Sequence, residues 1–239
     1  MPILENPTPH IFHKFDTELE DIRSRVMAMG GLVEQQLSDA LYALVNGDGA
    51  LAENVVANDY KINRMDVEID ATCTHVLARR QPIASDLRLV LAVIKTINDL
   101  ERIGDESKHI GRIGLRLAEN PHGRCRISQI EHMGNRVKRM LHQSLDALAR
   151  GDVDQAIEVA LEDKKVDRDH EAVMRQMLTY MMEDPRNIPE ITELCWSARA
   201  LERVGDRSRN ICEYVIYLVK GKDVRHVNLE HLADEIVAS

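Results

Sequence analysis

Apolar residues recur at intervals of three and four along the first part of the chain: Ile22, Val26, Met29, Val33, Leu37, Leu41 and Leu44. That spacing puts them on one face of an α-helix. The pattern stops at Asn46-Gly47-Asp48-Gly49, where Gly suits a helix end and Asp a helix start. A second stripe, Val55, Ile62, Ile69 and Cys73, predicts a helix over roughly 50–79 that ends before Gln81-Pro82. A third helix is predicted over roughly 84–118, with Asp86 as an early-turn acid. Its apolar face is Val90, Val93, Ile94, Ile97 and Leu100; Arg88, Lys95, Asp99, Arg102 and Glu106 fall on the far side.

The same three-helix pattern then repeats. MGGLVEQQLSDALYALVNGD at 29–48 aligns with MGNRVKRMLHQSLDALARGD at 133–152 at an offset of 104. Asp59 pairs with Asp163, Gln81-Pro82 with Asp184-Pro185, and LERIGD at 100–105 with LERVGD at 201–206. The slow drift of the offset places short insertions or deletions in turns, as a diverged duplication requires. The predicted fold is all-α: two tandem, internally duplicated three-helix bundles at 10–118 and 126–220. A linker with Pro121 and Gly123 joins them at 119–125, with a loose tail at 1–9 and an appendage at 221–239.

Composition agrees with helices. Only 3% of the 239 residues are aromatic while 44% are hydrophobic, so the core must come from Leu, Ile, Val, Ala and Met. The net charge of −9 argues against nucleic acid and leaves room for cations or basic partner surfaces. Cys73, Cys125, Cys195 and Cys212 form no C-x-x-C pair and read as reduced thiols of a cytoplasmic protein. No apolar run is long enough to insert into a membrane.

The duplicated motif carries the candidate chemistry. Glu101 and Asp105 stand four apart, as do Glu202 and Asp206, so each pair stacks on one helix side. On a helical wheel Glu101 lies about 20° from Val90 and Ile94, and Asp105 about 40° further on. The second helices flank their stripes with Asp59, Asn63, Asp66 and Asp70 in one half, and with Asp163, Asp167 and His170 in the other. The half-two stripe is Val159, Val166, Val173 and Met177, and Met174 stands where Asp70 would recur.

Two helices therefore turn oxygen-rich ladders to one side. Carboxylates beside a core need a basic neighbour, a proton or a metal. Arg102 and Arg203 point about 100° away from the Glu before them and are poor partners. A single such pair is ordinarily a solvated face or an ion pair; the duplication and the acids on helix two favour a hard-cation site. Its candidate ligands are Glu101, Asp105, Glu202, Asp206, Asp59, Asn63, Asp163 and Asp167. Gly104 and Gly205 inside the motif read first as close-packing positions and second as ligand access.

Rival chemistries find little apparatus. A di-iron oxidase needs Glu-x-x-His on two helices. Glu106-Ser-Lys-His109 is matched in half two by Arg207-Ser-Arg-Asn210, so that pattern is not duplicated. No phosphate loop, nucleophile elbow or Cys/His zinc spacing occurs.

DLERIGDESKHI at 99–110 and ARALERVGDRSRNI at 198–211 resemble the duplicated signature of the PhoU family. So do QPIASDLRLVLAVIKTINDLERIGD at 81–105, YMMEDPRNI at 180–188 and YLVKGKDVRH at 217–226. The resemblance implies a bacterial cytoplasmic protein without enzymatic activity, a negative regulator of the phosphate-starvation response and modulator of phosphate uptake. It implies contacts with the phosphate-sensing histidine kinase PhoR and the transporter ATPase PstB, and homodimers in many members. It also implies metal ions (Fe, Zn, Mn or Mg) at the Glu/Asp-x-x-x-Asp motif, here Glu101/Asp105 and Glu202/Asp206, with Asp59 and Asp163 nearby. His109 departs from the Asn usual after the motif, which half two keeps as Asn210. Two other classes stand beside this reading: a metal-dependent enzyme acting on phosphate compounds, and a structural dimeric adaptor with empty acidic grooves.

Overall fold

The Gly-Asp punctuation organises the chain. The computed structural model describes residues 9–118 and 127–225, with side chains from residue 15 onward. Helix α1 spans Pro9–Asn46, α2 Gly49–Asn58, α3 Tyr60–Arg80 and α4 Ala84–Ala118. The second half has α5 at Ser128–Arg150, α6 at Val153–Glu183 and α7 at Ile188–Lys220, with one 3-10 turn at Pro185–Asn187. Gly47 (φ 67°) and Gly151 (φ 65°) adopt the left-handed conformation that ends α1 and α5. The following amides then reach back: Asp48 N donates to the Ala43 carbonyl and Asp152 N to that of Ala147, both at 3.0 Å. The same aspartates start the next helices, accepting on Oδ1 from Leu51 N and Gln155 N, each at 3.0 Å.

The helices predicted in the first half are present, the third with nearly the expected ends, while the second is divided at Asp59. Asp59 keeps helical angles (φ −55°, ψ −32°) and its carbonyl still accepts from Asn63 N at 3.3 Å, so α2 and α3 act as one rod. Its counterpart α6 runs unbroken. Of the segments outside the bundles, Pro9 begins α1, while the rest of the expected tail, the whole linker at 119–125 and most of the appendage lie outside the described residues. Residues 221–225 are described, and Val224 is buried against the core.

The two bundles lie side by side and share one continuous core, running from Leu19 and Ile22 in α1 to Val215 and Ile216 in α7. Two antiparallel seams join them. Between α1 and α5 the packing is reciprocal: a Cβ on Gly30 would come within 3.0 Å of Leu145, and one on Gly134 within 2.6 Å of Leu41. These four residues are duplicates of one another at the offset of 104, so the duplication meets itself about a local two-fold.

The α4/α7 seam requires a correction. Of the residues read from sequence simply as the far side of α4, Arg88, Lys95, Asp99 and Glu106 pack on α7, while Arg102 stays exposed and its Nε donates to Asn98 Oδ1 on the same helix at 3.0 Å. Arg88 Nε donates to the Leu218 carbonyl at 3.4 Å, and Lys95 Nζ sits over the rings of Tyr214 and Tyr217. Asp99 is buried at 3% exposure, accepting from Tyr214 Oη at 2.8 Å and Arg207 Nη1 at 3.2 Å. Glu106 accepts from Arg203 Nη1 at 3.0 Å, and Arg116 forks onto Glu193 at 2.9 and 2.6 Å. A polar stripe thus becomes an interface because its partner helix carries complementary charge.

Candidate functional site

In the first bundle the acids gather where α4 crosses the α2–α3 rod. Asp59, at the break, is 1% exposed. Its Oδ1 accepts from Gln36 Nε2 at 3.2 Å, and its Oδ2 from Asn63 Nδ2 at 3.3 Å and Lys108 Nζ at 2.7 Å. Glu101 is half-buried, and burial first, then Asp105 and Asp66, raise its pKa above the ordinary value. Asp105 points outward; its Oδ1 lies 3.9 Å from Lys108 Nζ, and its side chain keeps 55% exposure. Asp66 is half-buried with a pKa raised by burial and then by Asp70.

The second bundle repeats the arrangement with more acid and less relief. Asp163 is 3% exposed; Oδ2 accepts from Arg209 Nη1 at 2.8 Å, while Oδ1 is buried without a partner. Burial raises its pKa, Arg209 opposes that, and Asp206 and Asp167 add to it. Glu202 is paired with Arg199 through Oε1, yet its buried Oε2 has no partner. Its pKa is raised by burial and then by Asp206; that of Asp206 is raised by burial against the pull of Arg209. Asp167 is exposed. His170 is half-buried, its Nε2 unpartnered, and its pKa is lowered by burial and then by Arg199.

The motif glycines settle as packing positions. A Cβ on Gly104 would come 3.1 Å from Ile62 Cδ1, and one on Gly205 3.2 Å from Val166 Cγ1. Ile62 and Val166 stand three residues after Asp59 and Asp163, so the glycines let the acid-bearing helix close in. His109 sits off the acid cluster's core, lining an open cleft of about 600 Å³ with Lys108, Arg112 and Trp196. Glu106, tied to Arg203, forms no ligand pair with His109.

The acids converge as the ladder reading expects, but they do not fit a preformed metal centre. Among the described residues no three His, Cys, Asp or Glu side chains come together as a metal ion requires. Each buried helix-two aspartate already holds a cation of the chain, Lys108 in one bundle and Arg209 in the other. Sequence reasoning tested only Arg102 and Arg203 as counter-charges and missed these two. The signal was present: Lys108 follows Glu101 by seven residues and Arg209 follows Glu202 by seven. Seven residues are about two turns, which returns to the same helix side. Gln36 on α1 was also missed, since nothing local links it to Asp59.

The comparisons with known proteins agree on one family. The PhoU domain family matches this chain twice, over residues 26–114 and 130–215. The chain is 48% identical over 233 residues to the phosphate-specific transport system accessory protein PhoU of Escherichia coli, covering 98% of this chain and 96% of that one. It is 49% identical over 234 residues to the protein of that name from Serratia marcescens, with 98% and 96% coverage. Among solved structures, that of PhoU from Pseudomonas aeruginosa matches with a TM-score of 0.85 at 48% identity, over 87% of this chain and 100% of that one. The phosphate transport system regulatory protein PhoU from Streptococcus pneumoniae matches at 0.81 with 33% identity, over 88% and 99%.

Proposed function

The chain belongs to the PhoU family, and from that premise we propose that it is a negative regulator of the phosphate-starvation response, acting as an adaptor between a phosphate ABC transporter and a phosphate-sensing histidine kinase. Its role is that of an accessory and regulatory protein of phosphate transport, not an enzyme. The observation that carries the proposal is the match of both halves to the PhoU domain within near-full-length identity to phosphate transport accessory proteins. The transporter's ATPase, PstB, and the kinase, PhoR, are the proposed partners, met in the cytoplasm by a homodimer. No helix among the described residues is long and apolar enough to cross a membrane. Contact with a membrane-bound partner would then run through that partner's own surface.

The electrostatics support an adaptor. The shared core makes the double bundle a rigid body, and each ladder presents an outer carboxylate, Asp105 in one and Asp167 in the other. Asp59 and Asp163 each hold a basic side chain of the chain itself; the outer carboxylates are open to basic side chains of a partner. Purified full-length chain should capture both the ATPase and the cytoplasmic part of the kinase. The Asp105→Lys/Asp167→Lys double variant should lose capture about tenfold or more, through like-charge repulsion. Deleting the gene should release phosphate-starvation genes from repression at high phosphate. Retention of neither partner, together with unchanged repression in the deletion strain, would defeat the proposal.

A further inference from the structure

Both carboxylate clusters contain a basic side chain at one duplicated position, three residues after the motif aspartate. Lys108 Nζ reaches two carboxylates from two helices, Asp59 at 2.7 Å and Asp105 at 3.9 Å. Arg209 does the same work in the second bundle, with Nη1 2.8 Å from Asp163 and Nε 3.3 Å from Glu213. Both aspartates on the receiving end are almost wholly buried, 1% and 3% exposed. A single cation bridging the acids of facing helices is what a hard metal ion would do at the same crossing. Here a covalently attached ammonium and guanidinium occupy the place.

We propose that Lys108 and Arg209 are resident counter-ions of the two clusters, holding the positions a divalent metal would need and keeping such ions out of this chain. Metal–oxygen contacts of about 2.0–2.6 Å to Asp59 or Asp163 would set a divalent ion within a few ångströms of the fixed positive charge. In a partly buried site that repulsion weakens metal binding by about a hundredfold or more. Neither side chain can diffuse away, so each cluster keeps its fixed positive charge whatever the metal supply. The inference concerns the isolated protein and is independent of which partners it meets.

The second cluster is the sharper test, because Asp163 Oδ1 and Glu202 Oε2 are buried and unpartnered there. Manganese(II) alone is the probe, titrated calorimetrically into full-length protein, with thermal melts in parallel. The natural chain should show no saturable uptake below about 100 μM, a level of binding free energy already weak. Arg209→Met should bind about one ion per chain at least a hundredfold more tightly, and excess manganese should raise its Tm by about 5–10 °C. Arg209→Lys, which retains the charge, should behave as the natural chain. Should Arg209→Met fail to fold, Arg209→Gln keeps a donor for Asp163 without the charge and should show the same gain. Stoichiometric tight manganese binding by the natural chain would overturn the proposal. So would a folded, charge-free variant that gains no affinity.

Discussion

A carboxylate buried beside a hydrophobic core must find a proton, a metal or a basic side chain. Asp59 finds Lys108, Asn63 and Gln36, so both its oxygens are served. Asp163 finds Arg209 on one oxygen alone, and Glu202 and Asp206 crowd the same space with pKa values pushed upward mainly by burial. A carboxylate whose pKa is higher in the folded than in the unfolded chain takes up protons preferentially when folded. Its contribution to stability is full below the unfolded value and is lost as pH rises through the folded one. Mild acidification from about pH 7 to about pH 5.5 should therefore raise Tm, and Glu202→Gln should shrink that rise. Melting curves at constant ionic strength check this; an equal rise in natural chain and variant would show that Glu202 stays ionised throughout.

At the scale of helices, the decisive element is the α4/α7 seam. Each helix carries a charged stripe that would be solvated in a lone bundle, and the antiparallel arrangement turns the two stripes together. Asp99 lies at the centre, bound to Tyr214 and Arg207, while Lys95 rests on the faces of two tyrosines. Burial and the neighbouring Asp99 raise the Tyr214 pKa, so the phenol remains a donor at neutral pH. Tyr214→Phe removes one of the two donors to a carboxylate that is 3% exposed, and should cost about 1–3 kcal/mol. The loss should be read from urea midpoints at unchanged slope. Arg207→Ala should cost less, since that side chain keeps 34% exposure and water can take its place in part.

For the whole molecule, the seams decide how the duplication behaves. Gly30 receives Leu145 and Gly134 receives Leu41, so each half supplies both the knob and the hole of the other. The core is continuous through both bundles. Unfolding should accordingly be one cooperative event rather than two. Trp196 in α7 lines the cleft against α4, so its fluorescence reports the seam between the bundles, whereas far-ultraviolet circular dichroism reports every helix. The two signals should show coincident urea transitions. A circular dichroism phase that precedes or follows the Trp196 phase would mean that the halves are separate folding units.

The order and approximate ends of the helices, the duplication and the gathering of acids on one side of each bundle were determined by the sequence itself. They are local or periodic properties: Gly47 and Asp48 act through bonds within six residues, and Val55, Ile62 and Ile69 share a helix face by geometry alone. That Lys108 shares the helix side of Glu101 was legible in the same way, though only by reading two turns ahead. Tertiary structure alone decided that Gln36 meets Asp59, that Asp99 is buried rather than solvated, and that an ammonium or guanidinium fills the crossing of the acid helices. Those outcomes depend on the angle and register at which one helix meets another. No residue's neighbours along its own helix carry that information, because the partner lies from about twenty to more than a hundred positions away in the chain.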